Sequence, residues 1–218
     1  MDQDVLADAV SAQLDALDSL VTATVGLALL AAVAATQAPA IYELFSLKLS
    51  RDLAFAVLVS VFTATNFAAL LYFLRISALV AMCDTPHLPK LLTKLFTHKW
   101  IFNPYSDFGG GLARFHSSIG FGALIVMWWI GYTTLLLVSD NQIILRYAAM
   151  GPYLAIGFFS VAVISRSQGL IAQRAKTLAP FADHASALLA AKRFATMAGI
   201  GVGGLIYLIA QAPKLLGF

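Results

Sequence analysis

The fold is decided by residues 115–139, which read FHSSIGFGALIVMWWIGYTTLLLVS. These 25 residues contain no Asp, Glu, Lys or Arg, and they include the adjacent pair Trp128 and Trp129. A helix needs about 20 mostly apolar residues to cross the hydrocarbon core of a bilayer. The stretch therefore predicts a membrane-spanning helix.

The rest of the chain has the composition of a membrane protein. Of its 218 residues, 60% are hydrophobic and 11% are charged, whereas soluble domains carry about 25% charged residues. Four more apolar stretches predict an all-helical, polytopic transmembrane bundle of about five spans in a single membrane domain. The spans are expected at residues 19–40, 53–82, 117–139, 144–165 and 194–213.

Three segments outside these stretches have helical patterns of their own. Residues 1–18 are expected to form a short amphipathic helix that leads into the membrane, with the apolar positions Val5, Val10, Leu14 and Leu17. Residues 86–102 predict a basic amphipathic helix lying in the membrane interface. The alternative is a helix that packs its apolar face on the protein's own bundle. Residues 166–193 are expected to form a cytoplasmic helical hairpin.

The segment 86–102 and the glycine run that follows it carry the candidates for lipid binding. Lysines lie opposite the leucines of the helix, and a tryptophan follows as an interfacial anchor. Backbone N–H groups at residues 109–111 have the composition to hold a lipid phosphate, with a flexible turn as the alternative. A bound phospholipid is the expected ligand, and its candidate contacts are Lys90, Lys94, Lys99, Trp100 and Arg114.

Basic residues predict the orientation of the chain. Ten of the 14 Lys and Arg residues fall in the segments after spans two and four, and the other four fall on the opposite side. Positive charge is concentrated in cytoplasmic loops. We therefore expect a bacterial inner-membrane protein with its N-terminus in the cytoplasm and its C-terminus outside, although the flanks of the first span alone favour the reverse.

Uncharged polar groups within the spans suggest two kinds of contact. Ser60, Thr63 and Asn66 are three residues apart and are candidates for a pore lining or for hydrogen bonds between helices. Gly199 and Gly203 form a small-xxx-small pair that permits close helix packing, either within one protomer or between protomers. A homo-oligomer is thus one expected assembly.

Chemically reactive groups are sparse. The single cysteine, Cys83, excludes an intramolecular disulfide and a four-cysteine metal site. No catalytic constellation is present, so no enzyme activity, nucleic-acid partner or cofactor is predicted. The histidines are weak candidates for a metal or haem site, with lipid-facing interfacial positions as the alternative, and they are His87, His98, His116 and His184.

Two functions fit this sequence. None of the spans carries a charge near its middle, whereas ion-coupled transporters usually need one. The sequence therefore favours an oligomeric passive channel or pore. The alternative is a non-catalytic structural or assembly subunit of a larger membrane complex, and a metal- or haem-binding membrane protein is a weaker one.

Overall fold

The computed structural model describes residues 3–36, 41–44, 47–106, 116–138 and 143–186, together with scattered positions up to residue 208. Five α-helices dominate these ranges: α1 Gln3–Thr36, α2 Arg51–Met82, α3 Leu88–Phe96, α4 His116–Val138 and α5 Ile143–Lys176. A 3-10 helix follows at Ala179–Phe181, and residues 182–186 are helical again.

Among the described residues, four helices are long and apolar enough to cross a membrane, over Val5–Ala31, Leu53–Met82, Ile119–Leu136 and Met150–Lys176. Large apolar side chains on their outer faces are exposed, among them Leu30 and Phe159, as expected where lipid replaces water. The prediction of an all-helical, polytopic membrane bundle is confirmed. The expected fifth span, residues 194–213, lies largely outside the described residues.

The first span and the N-terminal segment that leads into it are one continuous helix. At 1.5 Å per residue, the 34 residues of α1 extend about 51 Å. The buried apolar positions of its first half are Leu6, Val10, Leu14 and Leu17, whereas Val5 is exposed. The apolar stripe therefore begins at Leu6 and runs into the span without a break.

A short antiparallel hairpin joins α1 to α2 where the sequence analysis predicted only a connection. Strands β1 Ile41–Leu44 and β2 Leu47–Ser50 pair with Glu43 opposite Lys48. Ser50 then caps α2, because its hydroxyl accepts a 3.4 Å hydrogen bond from the Leu53 N–H.

The bundle contains two buried cores, one above the other. The membrane core lies at the hairpin end and is formed mainly by α1, α2, α4 and α5 around Phe62, Trp128 and Tyr153. The second core lies at the opposite end and includes Phe121 and Ile125 of α4 together with residues of α1, α2, α3 and α5. We call the end of the bundle around α3 the cap, and it comprises the described residues among 3–18, 73–106 and 164–189.

Helix α3 lies across the cap and buries its entire apolar side, the residues Leu88, Leu91, Leu92, Leu95 and Phe96. It begins directly after α2, because the Asp84 carbonyl accepts hydrogen bonds from the N–H groups of His87 and Leu88. Its apolar side packs on the buried stripe of α1, and Phe96 meets Phe181 of the 3-10 helix edge to face at 5.7 Å. In the structure, this helix packs its apolar side on the protein's own bundle, which is the second of the two alternatives that the sequence allowed.

The connection 97–106 fixes α3 to the rest of the cap through Asn103, which is fully buried. Its Nδ2 donates to the Leu95 carbonyl (2.8 Å), and its Oδ1 accepts from the Tyr105 N–H (3.0 Å). Gly120 of α4 passes so close that an added Cβ would lie 2.9 Å from the Asn103 carbonyl oxygen. The connection therefore joins α3, α4 and α5 in a fixed arrangement.

Candidate functional site

Polar side chains meet in the middle of the bundle. The Tyr153 hydroxyl donates to the Trp128 carbonyl (2.6 Å). The Asn66 amide donates to the Phe62 carbonyl (2.7 Å), and its side chain lies beside the Tyr153 hydroxyl. These contacts connect α2, α5 and α4 at the depth of the bilayer, where unsatisfied polar groups cost several kcal/mol.

A cavity of about 80 Å³ lies beside these polar side chains. All four long helices contribute to its wall, and most lining side chains are apolar. Its polar lining groups belong to Thr24, Thr65, Asn66, Tyr153 and Ser160, with the Trp128 indole closing one side. The described lining residues include no ionisable acid or base except the Tyr153 phenol, so the cavity suits a neutral occupant.

Gly157 makes room for the tryptophan at this cavity. A Cβ built on Gly157 would overlap the Nε1 edge of the Trp128 indole. The indole also stacks on the Tyr153 ring, with centroids 6.2 Å apart, and meets Phe158 edge to face at 5.2 Å. Only glycine at this point of α5 permits so close an approach.

The three residues of the predicted polar stripe have different environments. Ser60 is exposed on the outside of α2, and its hydroxyl donates to the Ala56 carbonyl (2.8 Å). Thr63 is half-buried, and its hydroxyl oxygen has no hydrogen-bond partner among the described residues. Asn66 alone of the three lines the cavity.

The predicted lipid-binding residues of the cap have different environments. Lys94 Nζ lies 3.9 Å from Asp8 Oδ1, a surface ion pair of small energetic weight. Lys90 and Lys99 are exposed. Trp100 is only 1% exposed, which disagrees with its prediction as a lipid-facing anchor, because the connection turns its indole into the cap core.

The histidines lie at separate places in the cap. His98 is buried, accepts at Nδ1 from the Trp100 N–H (3.2 Å), and places Nε2 3.3 Å from Asp15 Oδ1. His184 packs on Phe96 with ring centroids 5.7 Å apart, and His87 is exposed just before α3. Among the residues that the structure describes, no three His, Cys, Asp or Glu side chains come together as metal ligands.

Buried polar side chains tie α5 to the rest of the cap. Gln168 Nε2 donates to the Pro104 carbonyl (2.7 Å), and the hydroxyls of Ser167 and Tyr105 are hydrogen bonded at 2.8 Å. Burial raises the pKa of the Tyr105 hydroxyl, and the Ser167 hydrogen bond opposes this in part. This hydroxyl is therefore neutral at physiological pH and acts as a structural contact.

A second contact joins the C-terminal ends of α5 and α2. The Arg174 guanidinium donates to the Cys83 carbonyl. Burial raises the pKa of the Cys83 thiol, the nearby Arg174 charge lowers it, and Asp84 raises it further. The net direction is upward, so this thiol is a weak nucleophile at neutral pH.

Several predicted site residues lie outside the described part of the chain. They are residues 109–111, Arg114, Gly199 and Gly203, together with the side chain of His116, whose backbone begins α4. Comparisons with protein families, with characterised proteins and with solved structures find no match to this chain.

Proposed function

We propose that this chain is a non-catalytic subunit of a membrane complex and that its cap docks a partner protein with an acidic surface. The observation that supports this proposal best is the cap itself. At 1.5 Å per residue, α1 and α5, each of 34 residues, are about 51 Å long. The hydrocarbon core of a bilayer is about 30 Å thick, so roughly 20 Å of each helix is not needed to cross it.

The cap is built as a rigid body. Its core contains fully buried residues from every element at this end, including Leu14, Ile76, Leu92 and Ile171. The buried bonds of Asn103 and Gln168 order the connection that closes it. A bundle that only crossed the membrane would need no such layer, whereas a docking surface needs one, because preorganisation lowers the entropic cost of binding.

The exposed charge of the cap and its rim is mainly positive. Seven described basic side chains are exposed there, namely Arg75, Lys90, Lys94, Lys99, Arg166, Lys176 and Arg193. Four described aspartate side chains are exposed on the same end, namely Asp8, Asp15, Asp84 and Asp183. Electrostatic complementarity therefore favours a partner with an acidic face. Positive charge accumulates on the cytoplasmic segments of membrane proteins. We therefore propose that the protein lies in a bacterial inner membrane with its cap on the cytoplasmic side.

The projecting part of α5 offers the sharpest test. Arg166, Gln173 and Lys176 are exposed on it, while the buried Gln168 and Ile171 face the cap core. The full-length protein is purified from its native host in a mild detergent, and co-purifying proteins are identified by mass spectrometry. We expect one fixed partner at a constant ratio to the chain.

Charge reversal distinguishes docking through the cap from any other association. The double variant Arg166→Glu with Lys176→Glu is expected to lose the partner, because both positions are exposed and outside the core. The matched control, Arg166→Lys with Lys176→Arg, keeps the charge and is expected to retain it. Recovery of a homogeneous homo-oligomer alone would contradict the subunit proposal.

A second candidate is an oligomeric passive channel. The observation that favours it is Ser60, a polar side chain exposed on the outer surface of α2 within its apolar span. Copies that met along this surface would place a ring of hydroxyl groups around a shared axis. Protein reconstituted in liposomes is then expected to release a small entrapped solute, and Ser60→Leu is expected to stop the release. Liposomes that stay tight under all voltages and pH values would exclude this candidate.

A further inference from the structure

The intramembrane cavity has a mainly apolar wall. The hydroxyls of Thr24, Thr65 and Ser160 donate to carbonyls of their own helices, at 2.7, 3.1 and 2.8 Å. The Tyr153 hydroxyl donates to a carbonyl of α4 (2.6 Å), and the Asn66 amide donates to a carbonyl of α2 (2.7 Å). Each of these polar lining groups thus already makes a hydrogen bond within the protein, and van der Waals contacts are the main attraction that the wall offers an occupant.

The cavity lies at the middle of the span formed by α4. This span, Ile119–Leu136, has 18 residues and is therefore about 27 Å long, close to the 30 Å or so of the hydrocarbon core. The lining residues of α4 run from Leu124 to Gly131, all within about 5 Å of the middle of the span along the helix axis. The cavity is therefore at the centre of the bilayer, roughly 15 Å from the headgroups on either side.

The cavity is open in part to the outside of the bundle. Several of its lining side chains are only half-buried, among them Leu20, Ala69 and Val161. A bundle that spans a bilayer is surrounded at this depth by lipid acyl chains, and the centre of the bilayer is where the last carbons of those chains lie. The molecules next to the opening are therefore chain ends, not headgroups.

We propose that this cavity binds the terminal carbons of a lipid acyl chain, so that one membrane lipid is anchored in the bundle by its tail. A charged headgroup does not fit, because the described lining residues offer it no counter-charge and burial of an unpaired ion is prohibitive. Buried water needs two to four polar partners, whereas the polar lining groups already have partners within the protein. A hydrocarbon chain requires only the apolar wall.

The size of the cavity limits how much of the chain enters it. A cavity of roughly 150 Å³ holds one benzene molecule, and this one is about 80 Å³. It therefore admits a few carbon atoms and leaves the rest of the chain, with its headgroup, in the bilayer.

Two isoleucines report on the interior of the cavity. Ile125 and Ile164 line it and are only 2% and 3% exposed, so lipid on the outer surface of the bundle does not reach them. Full-length protein, deuterated except for ¹³C-labelled isoleucine δ1 methyl groups, is placed in nanodiscs of protonated lipid. Nuclear Overhauser cross peaks, which arise only at short range, are expected between acyl-chain protons and the methyl groups of Ile125 and Ile164.

Other isoleucines supply the internal controls. Ile119 is 62% exposed at the end of the α4 span and is expected to give a cross peak to lipid in any case. Ile76 and Ile171 are fully buried in the cap and are not among the lining residues of the cavity. They are expected to give none.

Selectively protonated lipids identify the part of the chain that enters. In one lipid only the last carbons of each chain carry protons, and in the other only the carbons next to the ester carbonyl do. Ile125 and Ile164 are expected to keep their cross peaks with the first lipid and to lose them with the second. Ile119, at the end of the span, is expected to show the reverse.

A filling substitution and its matched control complete the test. Thr24→Leu places a larger apolar side chain in the cavity from α1 and is expected to abolish the lipid cross peaks of Ile125 and Ile164. Thr22→Leu makes the same exchange on the exposed side of α1 and is expected to preserve them.

The wild-type spectra alone can overturn the proposal. It is wrong if Ile125 and Ile164 give no cross peak to chain-end protons in nanodiscs where Ile119 does give a cross peak to lipid. It is equally wrong if the two methyl groups give cross peaks to water, because the cavity is then hydrated. Neither result depends on whether the cap docks a partner.

Discussion

Replacing Asn103 by alanine is expected to loosen the cap, because this one side chain satisfies two buried backbone groups. The Leu95 carbonyl would lose its donor at 2.8 Å, and the Tyr105 N–H would lose its acceptor at 3.0 Å. Each group left unsatisfied costs about 1–3 kcal/mol. Allowing for partial relaxation around the smaller side chain, we expect a total loss of about 2–4 kcal/mol.

Amide hydrogen exchange measures this loss where it occurs. When exchange is limited by local opening, its rate follows the opening free energy, and a factor of ten corresponds to about 1.4 kcal/mol. The amides of Tyr105 and of α3 are therefore expected to exchange about 30 to 900 times faster in Asn103→Ala. The variant Asn103→Asp keeps an acceptor for Tyr105 but loses the donor to Leu95, so we expect an acceleration in Asn103→Asp too.

A threonine in the same connection supplies the control. Thr97 is exposed, and its hydroxyl donates to the Thr93 carbonyl within one turn (2.7 Å). Thr97→Ala is expected to change exchange in the cap by less than about threefold, since exposed substitutions usually stay within about 0.5 kcal/mol. If Asn103→Ala gave exchange rates like those of Thr97→Ala, the role assigned to Asn103 would be refuted.

Three further predictions concern other parts of the chain. Gly157→Ala forces a Cβ into the neighbouring indole and is expected to lower stability in detergent by about 1–3 kcal/mol. At Gly151 an added Cβ meets open space, so Gly151→Ala is not expected to lower stability. Equal thermal unfolding of the two variants would contradict this. Because burial raises the pKa of the Cys83 thiol, its thiolate fraction is smaller in the folded than in the unfolded protein. At every pH below the raised pKa, maleimide is therefore expected to modify Cys83 far more slowly in the folded protein than in the unfolded one. Equal rates would show that the thiol is not protected. In a Cys83→Ser background, Lys90→Cys is expected to be labelled from the cytoplasm and Asp140→Cys from outside, and the reverse pattern would overturn the orientation.

The sequence predicted the membrane bundle well because hydropathy alone identifies spans. It also located α3, since leucines at helical spacing require a helix wherever their apolar side is buried. It left open what covers that side, because a lipid surface and a protein groove select the same pattern. The buried stripe of α1, which includes Leu6 and Leu14, is the complementary surface, and its spacing was the available signal.

The cavity could not be predicted in the same way. Trp128, Tyr153 and Gly157 belong to different turns of α4 and α5, and uniformly apolar helices have too little periodicity to show which faces meet. The role of Asn103 could not be predicted either, because the sequence of a turn is the same whether its polar residue is buried or exposed to solvent. The hairpin at 41–50 was missed because strands of four residues are too short to establish an alternating pattern.

The cap is assembled from segments that are far apart in the chain, and this sets an order for biosynthesis. Leu17 and Leu188 belong to the same core, yet 171 residues separate them. At about 5–20 residues per second, a ribosome needs roughly 9–34 s to synthesise that interval. Helix α3 arrives earlier, after Phe96, and can cover the apolar stripe of α1 first. Until then the first half of α1 is an amphipathic helix whose apolar stripe is uncovered. In a newly made chain, this helix either needs another molecule to keep it in solution or lies on the membrane surface.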